Sequence, residues 1–188
     1  MESLRVHKEQ LIRQRALSIW FTGLPASGKS TLAIALEQAF TKMGILCCRL
    51  DADIVRQGIN KDLGYELSDR KENIRRVAYL NRYMLDSGLV VLNSFIQPTN
   101  EIRNMAAGIV GHEDYFEVFV NCPLEECEKR DPKGHYQKAR NGMLPGFTGI
   151  DSPFEEPLAP FMIIETKDEA LDICTKKLLS AFLPIIKK

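Results

Sequence analysis

A glycine-rich segment near the N-terminus constrains the fold of this 188-residue chain more than any other feature. It matches the pattern G-x-x-x-x-G-K-S and comprises Gly23, Leu24, Pro25, Ala26, Ser27, Gly28, Lys29, Ser30 and Thr31. Its two glycines let the backbone turn tightly and approach phosphate oxygens, so that successive N–H groups form an anion-binding concavity. In this pattern Lys29 reaches the β- and γ-phosphates of a nucleotide, and the Ser30 hydroxyl is placed to bind Mg²⁺.

The residues on either side of the loop supply the order of elements that such a motif requires. Residues 16–21 form an apolar run of the length of a buried parallel strand. After the loop, apolar residues recur at helical spacing from Leu32 to Phe40, and Gly44 is typical of a helix end. Strand, loop and helix together predict a nucleoside-triphosphate site, but they do not separate a kinase from a GTPase or a motor protein.

Strand and helix patterns alternate along the rest of the chain. They predict strands over 45–50, 89–95, 116–120 and 161–165, and helices over 72–86, 99–110, 124–129 and 168–183, with Pro184 after the last helix. We therefore predict an α/β fold, the three-layer P-loop kinase fold, with a central parallel five-stranded sheet. Residues 1–15 are predicted to be a polar extension and 16–188 a single domain, in which about 131–150 form a lid.

Composition and charge exclude several classes of protein. Twenty-five Lys and Arg balance 25 Asp and Glu, so the formal net charge of +0 favours neither nucleic acid nor a membrane surface. Apolar runs are too short to span a membrane, and the polar start lacks the apolar core of a signal peptide. Five cysteines without zinc-site spacing suit reduced thiols, so we expect a cytoplasmic protein.

Two carboxylates follow the second predicted strand. Asp51 and Asp53 are two positions apart, so in an extended chain their side chains point to the same side. Such a pair can orient Mg²⁺ and accept a proton from an acceptor hydroxyl, whereas the alternative is a strand-to-helix turn in which an aspartate caps the helix. The third predicted strand ends without an acid. We therefore predict Lys29, Asp51 and Asp53 as catalytic residues and Ser30 as a metal ligand.

Five further blocks resemble the adenylylsulfate (APS) kinase family. They are DLGYELSDRKENIRR (62–76), SFIQP (94–98), EVFV (117–120), RDPKG (130–134) and FTGIDSP (147–153), and they occur in the family's order over residues 16–160. The resemblance implies transfer of the γ-phosphate of ATP, with Mg²⁺ as cofactor, to the 3′-hydroxyl of APS, giving 3′-phosphoadenylyl sulfate (PAPS). It also implies a homodimer.

The residue types in these blocks suit APS, whose phosphate–sulfate anhydride is negatively charged. Arg56 and Arg70 can make forked contacts with its oxygens, and Tyr65 and Phe147 match the aromatic residues that sandwich the adenine in the family. The resemblance places further residues at the acceptor site, namely Asp53, Asn73, Ile96 and Lys138. It places Arg130 and Lys133, from the lid region, at the ATP site.

Several positions depart from the family pattern. Ala52 and Ile54 replace the glycine and asparagine of Asp-Gly-Asp-Asn, the arginine usual soon after Pro98 is missing, and Gln97 replaces a serine described as a phosphorylated site. Because Gln97 has no hydroxyl, it excludes a phosphoenzyme at that position and leaves direct in-line transfer. Two alternatives stay open: a family kinase with another nucleotide-linked acceptor, or a regulatory or binding subunit with weak catalysis.

Overall fold

Five short strands form one parallel sheet at the centre of the molecule, whose computed structural model describes residues 4–187. The strands are β1 (Ser18–Thr22), β2 (Cys47–Asp51), β3 (Val90–Ser94), β4 (Tyr115–Asn121) and β5 (Met162–Glu165). Their order across the sheet is β2-β3-β1-β4-β5, and every neighbouring pair runs parallel. The prediction of an α/β fold with a five-stranded parallel sheet is confirmed.

Helices cover both faces of this sheet. Within residues 4–187 they are α1 (Leu4–Ile12), α2 (Lys29–Lys42), α3 (Ala52–Gln57), α4 (Leu67–Leu85), α5 (Asn100–Val110), α6 (Leu124–Arg130), α7 (His135–Arg140) and α8 (Leu171–Ile186). One face packs against α2 and α8, and the other against α4 and α5, which gives the three predicted layers. None of these helices has both the length and the apolar character needed to cross a membrane.

The central strand explains how the layers are held together. Ile19 and Phe21 of β1 pack into the core beneath α2 and α8, whereas Trp20 between them packs with α4 and α5. Successive side chains of a strand point to opposite faces, so an uninterrupted apolar run suits a strand that is covered on both sides. All five residues of β1 are buried, and this strand carries the phosphate loop at its carboxyl end.

Several helix boundaries differ from the prediction, and one of them is the start of α8, at Leu171 instead of residue 168. Helix α4 begins at Leu67 instead of residue 72. The prediction missed this first turn because its polar residues show no apolar periodicity. Pro184 lies inside α8 rather than after it. Leu178, Phe182 and Ile186 recur at four-residue spacing and are fully buried in the core, so this apolar face keeps the last turn of α8 packed although proline removes one backbone donor.

Two short helices lie in segments without a helical prediction. Helix α3 follows β2 directly, and α7 lies within the predicted lid. The Asp131 carboxylate stabilises the first turn of α7, because it accepts hydrogen bonds from the backbone N–H groups of His135 (2.8 Å) and Gln137 (3.1 Å). Each helix has 6 residues, too few for an apolar period to show in the sequence.

Of the predicted polar extension, residues 1–15, the described residues 4–15 lie against the end of the sheet opposite the phosphate loop, and residues 1–3 are outside the described residues. Residues 4–12 form α1, where Arg5 donates to the Asp114 carboxylate (2.8 Å) and to the Ala16 carbonyl (2.9 Å). The Gln14 amide donates to the Leu46 carbonyl at 2.8 Å. These contacts fix the segment through polar groups, which is why it lacks an apolar sequence signal. The division into an extension and a domain stays a prediction.

Candidate active site

The carboxyl ends of the strands open into a cavity of about 900 Å³. Most of the predicted site residues line it: Pro25, Ala26, Gly28, Lys29, Ser30, Thr31, Asp51, Asp53, Arg56, Tyr65, Arg70, Asn73, Ile96, Arg130, Lys133 and Phe147. Gly23, Leu24, Ser27 and Lys138 do not belong to its wall. The structure thus brings together segments from across the chain at the edge of the sheet where ligands bind in parallel α/β folds.

The phosphate loop depends on its glycines for shape. Gly23 has φ 150° and Gly28 has φ 104°, both in the region that favours glycine. A Cβ on Gly23 would lie 2.5 Å from the Val120 carbonyl oxygen, so no larger residue fits there without a shift of backbone. Gly28 caps α2 without a side chain, which leaves the N–H groups of the first turn directed into the cavity.

Lys29 folds back onto its own loop. Its ammonium group donates to the carbonyl oxygens of Gly23 (3.0 Å) and Leu24 (2.6 Å). Burial lowers the pKa of Lys29 from 10.5 to about 8, and neighbouring thiols and carboxylates only partly oppose this shift. The ammonium is therefore short of negative charge, which nucleotide phosphates would supply.

Asp51 connects the phosphate loop to α3. Its Oδ2 accepts a hydrogen bond from the Ser30 hydroxyl at 2.7 Å, and its Oδ1 accepts one from the Asp53 backbone N–H at 3.0 Å. Asp51 is thus both the cap of α3 and the carboxylate beside the predicted metal ligand, so the two interpretations of this residue hold together.

Asp53 occupies a different setting from the one predicted. It lies in the first turn of α3 and not in an extended chain, because the helix begins at Ala52, so the alternation argument for the two aspartates was wrong. Its carboxylate is exposed at the cavity mouth and forms an ion pair with Lys133 of the predicted lid. Both aspartates nevertheless line the cavity.

Two arginines and a tyrosine form another part of the cavity wall. Arg56 donates to the Gly64 carbonyl (2.7 Å), and its guanidinium carbon lies 4.6 Å from the centroid of the Tyr65 ring. Arg70 donates to the carbonyls of Tyr65 (2.8 Å) and Gly146 (3.0 Å). Within residues 4–187 neither guanidinium lies at ion-pair distance from a carboxylate, and burial together with Arg56 lowers the pKa of Arg70. This part of the cavity wall carries unbalanced positive charge.

Phe147 is a buried aromatic residue of the cavity wall, whereas Tyr65 is 62% exposed. The Phe147 ring meets the Tyr136 ring edge-on, with centroids 4.9 Å apart. The backbone N–H groups of Gly146 and Phe147 donate to the Asp151 carboxylate at 2.8 and 2.6 Å, and these bonds lower the pKa of Asp151. The Asp151 carboxylate therefore holds the loop that carries Phe147 in place.

The other predicted residues occupy varied positions. Buried Asn73 accepts a hydrogen bond at its Oδ1 from the Asn60 side-chain amide at 2.9 Å. Arg130 donates to the Thr166 carbonyl at 2.6 Å, which ties α6 to the residue after β5. Ile96 lines the cavity just beyond β3, and Lys138 lies exposed on α7, outside the cavity wall.

Sequence reasoning missed part of the cavity wall. The segment between β5 and α8 contributes Thr166, Glu169, Leu171 and Cys174, and the Thr166 hydroxyl donates to the Ser27 carbonyl at 2.7 Å. The signal was present, since this segment follows the carboxyl end of a parallel strand, but the residue types carry no motif. Ser94 and Thr148 also belong to the wall.

Known proteins match both the sequence and the fold. A family model described as adenylylsulphate kinase matches residues 15–165. The adenylyl-sulfate kinase of Bacteroides thetaiotaomicron is 52% identical over 184 residues, 98% of this chain and 92% of the relative. That of Clostridium acetobutylicum is 46% identical over 175 residues, 93% of this chain and 87% of the relative.

A solved structure agrees with these sequence relatives. The Mycobacterium tuberculosis APS kinase CysC in complex with AMPPNP and APS superimposes with a TM-score of 0.87 and 40% identity, covering 90% of this chain and 98% of that one. On sequence and fold together, this chain belongs to the adenylyl-sulfate kinase family.

Proposed function

We propose that this protein transfers the γ-phosphate of ATP to the 3′-hydroxyl of adenylyl sulfate, giving 3′-phosphoadenylyl sulfate. The observation that carries the proposal is a single cavity whose wall includes both the phosphate loop and two guanidinium groups without an ion-pair partner within residues 4–187, Arg56 and Arg70. An acceptor that carries its own anion satisfies that second charge, which a neutral alcohol or sugar would leave unbalanced.

The donor end suits Mg²⁺·ATP. Loop N–H groups and the Lys29 ammonium bind the phosphates, and Ser30 would hold the ion with Asp51 behind it. Residues 4–187 contain no group of three or more His, Cys, Asp or Glu side chains that could hold a metal, which fits an ion carried largely by phosphates and water. When bound, Mg²⁺ neutralises charge between the β- and γ-phosphates.

The acceptor end suits an adenine nucleotide. Phe147 supplies a buried face and Tyr65 an exposed one, and stacking between them would hold the adenine. Arg56, Arg70 and Asn73 lie beside these rings and can bind the anhydride oxygens and the nucleoside. Ile96 closes the apolar side of this half of the cavity.

Asp53 lies at the mouth of the cavity, near where both substrates enter. Its carboxylate can accept the proton of the 3′-hydroxyl once it leaves its ion pair with Lys133. Lys133 is then free to face the transferring phosphoryl group, and Arg130, which also lines the cavity, supplies a second positive charge. Direct in-line transfer needs only this alignment, and no covalent protein intermediate.

An acceptor screen tests the proposal. The full-length protein with ATP and Mg²⁺ is given APS, the 3′-deoxy analogue of APS, AMP and a panel of other nucleotide-linked acceptors, and the products are separated by chromatography. We expect phosphorylation of APS at the 3′ position, none of the 3′-deoxy analogue and far less of AMP, which lacks the sulfate. A folded protein that binds ATP and forms no PAPS would reject the assignment.

We also propose a homodimer in the cytoplasm that binds neither nucleic acid nor membrane. None of the five cysteines, all of which lie within residues 4–187, forms a disulfide, which supports a reducing compartment. The formal net charge of +0 gives no general attraction to nucleic acid or to a membrane surface, which supports small molecules as the binding partners. Light scattering from the purified chain tests the dimer, for which a mass near twice 21.3 kDa is expected. A monomeric mass would reject it.

A further inference from the structure

A buried hydroxyl without a partner faces the cavity. Ser94 ends β3 and is 2% exposed, and within residues 4–187 its Oγ has no hydrogen-bond partner. Ser94 also lines the cavity. Because an unpaired buried hydroxyl destabilises a fold, such a group on a cavity wall indicates a partner that arrives with the ligand.

The position of Ser94 identifies the part of the ligand that it meets. In the sheet Ser94 is the register partner of Asp51 on β2 and of Phe21 on β1. Adjacent strands lie about 4.8 Å apart, so Ser94 is the immediate neighbour of the carboxylate that accepts from Ser30. Asp51 accepts hydrogen bonds from the Ser30 hydroxyl and the Asp53 N–H, and the Ser94 hydroxyl makes no hydrogen bond to it.

We propose that Ser94 is a positioning residue for Mg²⁺·ATP, with its hydroxyl bonded to a water molecule in the shell of the ion held at Ser30. This inference rests on the part of the proposed function that concerns binding of Mg²⁺·ATP. Mg²⁺ retains several waters and takes few protein ligands, so the groups that orient those waters fix its place. A hydroxyl that both donates and accepts suits a water ligand, and β3 ends here in serine where other nucleotide enzymes present an acid.

A role for Ser94 as a covalent phosphate carrier fits the site less well. A phosphoserine would place about two negative charges and three oxygens at a position that is 2% exposed and adjacent to the Asp51 carboxylate. Like charges and loss of solvent both oppose that state. Positioning of a neutral water requires neither.

The test compares Ser94→Ala with a matched control, Thr22→Val. Thr22 also has a buried hydroxyl without a partner within residues 4–187, but it does not line the cavity. Binding of Mn²⁺, as a probe for Mg²⁺, to each full-length protein with a non-hydrolysable ATP analogue is followed by electron paramagnetic resonance. Melting curves are recorded without ligand.

We expect Ser94→Ala to weaken Mn²⁺ binding about three- to tenfold, with an unliganded melting temperature that is unchanged or higher. Ser94→Thr, which keeps a hydroxyl, should restore most of the affinity. Thr22→Val should leave Mn²⁺ affinity unchanged. Equal Mn²⁺ affinity in Ser94→Ala and the parent protein would overturn the inference, as would an equal loss in Thr22→Val.

This experiment is independent of the acceptor. A protein that forms no PAPS but loses Mn²⁺ affinity on Ser94→Ala would fail the proposed function and still support the inference. A protein that forms PAPS while Ser94→Ala binds Mn²⁺ normally would reject the role of Ser94 alone. Transfer of label from γ-labelled ATP onto Ser94 would also reject the positioning role.

Discussion

The donor and acceptor halves of the cavity are built in different ways. The donor half is built around one continuous segment whose shape comes from backbone conformation, with Gly23 and Gly28 at positive φ and Lys29 in the first turn of α2. The acceptor half is assembled from segments far apart in the chain, such as the bond from Arg70 to the Gly146 carbonyl, 76 residues away. Its shape comes from side chains that bind backbone carbonyls.

This difference has a physical consequence. Local backbone geometry is specified by the residues that adopt it, so the donor half keeps its shape when one ligand-facing side chain is removed. The acceptor half loses both a ligand contact and a structural tie when an arginine is removed, because the same guanidinium serves both. Substitutions on the two sides should therefore differ in which substrate they affect and in how far they disturb the fold.

The largest effect is expected from Lys29→Ala. Removal of the ammonium that meets the phosphates should lower turnover by about 10²- to 10³-fold. Melting should be little changed, since the ammonium donates to groups of its own loop, the carbonyls of Gly23 and Leu24 and the Ser27 hydroxyl. Steady-state rates of PAPS formation measure the effect, and Lys42→Ala, at the exposed far end of the same helix, is the control. Near-normal turnover with normal melting would assign Lys29 another role.

Acceptor-side substitutions should separate the two substrates. Arg70→Ala and Phe147→Ala are expected to raise the KM for APS by about 10- to 100-fold, because each removes a charge-assisted bond or a stacking face, and to change the KM for ATP by less than about threefold. Arg75→Ala is the matched control, since Arg75 lies exposed on the same helix and pairs with Glu72. A mutant that weakens ATP alone would show that the residue belongs to the donor half.

A buried arginine outside the cavity should also affect the acceptor. Arg103 donates to the carbonyls of Gln97 and, at 2.6 Å, of Glu155, and its Nε lies 3.4 Å from the Glu117 carboxylate. It thereby ties the segment after β3, which carries Ile96, to the segment around Glu155, which follows the Phe147 loop. Arg103→Ala should lower the free energy of unfolding by about 3 kcal/mol, since Glu117 is left buried and unpaired, and should raise the KM for APS about tenfold.

Denaturant unfolding and APS titrations measure these two effects. Adding Glu117→Gln to Arg103→Ala should recover part of the stability, because the buried charge is then removed. ATP affinity should stay within about twofold of the parent in both variants. A loss of ATP affinity equal to the loss of APS affinity would mean that Arg103 supports the whole sheet edge and not the acceptor half.

The pH dependence of ATP binding should report Lys29. In the unliganded protein its pKa is about 8, and bound phosphates favour the charged form and raise that pKa. Below pH 8 the residue is charged in both states and affinity should be flat. Above pH 8 the free protein loses the proton, so binding takes one up and affinity should fall by up to tenfold per pH unit.

Calorimetry at pH 7 and pH 9, in buffers with different ionisation heats, measures this proton uptake. The extra uptake at pH 9 should vanish in Lys29→Ala. Equal uptake in the parent and in Lys29→Ala would assign the proton to another group.

The smallest effect is expected from Gln97→Ser. The side chain is fully buried, accepts a hydrogen bond from the Tyr115 hydroxyl at 3.2 Å, and does not line the cavity. Turnover should change by less than about twofold, while the smaller side chain lowers stability by about 1 kcal/mol. A large gain in turnover on Gln97→Ser, measured by PAPS formation, would show that this position takes part in transfer.

Sequence and structure agree best where the fold is local. The phosphate loop, the buried strands and the amphipathic helices were predictable, because glycine at positive φ and apolar periodicity leave signatures in the chain. The turn at Asp51 was predicted only as an alternative, because a helix of 6 residues has no period and the same aspartate serves equally as a helix cap and a metal-side carboxylate.

Long-range contacts account for what sequence reasoning missed. Nothing near Thr166 indicates that its hydroxyl meets the phosphate loop, and nothing near Gln97 indicates that Arg103 binds its carbonyl. Predictions for Arg56 and Arg70 came from resemblance and charge. Their second role, as ties to the carbonyls of Gly64 and Gly146, appears only when the loops are in place.

The central claim is direct transfer of phosphate from ATP to the 3′-hydroxyl of APS within this one cavity. The most direct measurement incubates the full-length protein and Mg²⁺ with γ-labelled ATP, with and without APS, and then separates denatured protein from nucleotides. For direct transfer we expect label in the 3′-phosphate of PAPS and no label on the protein under either condition. Stoichiometric acid-stable label on the protein that passes into PAPS when APS is added would contradict it.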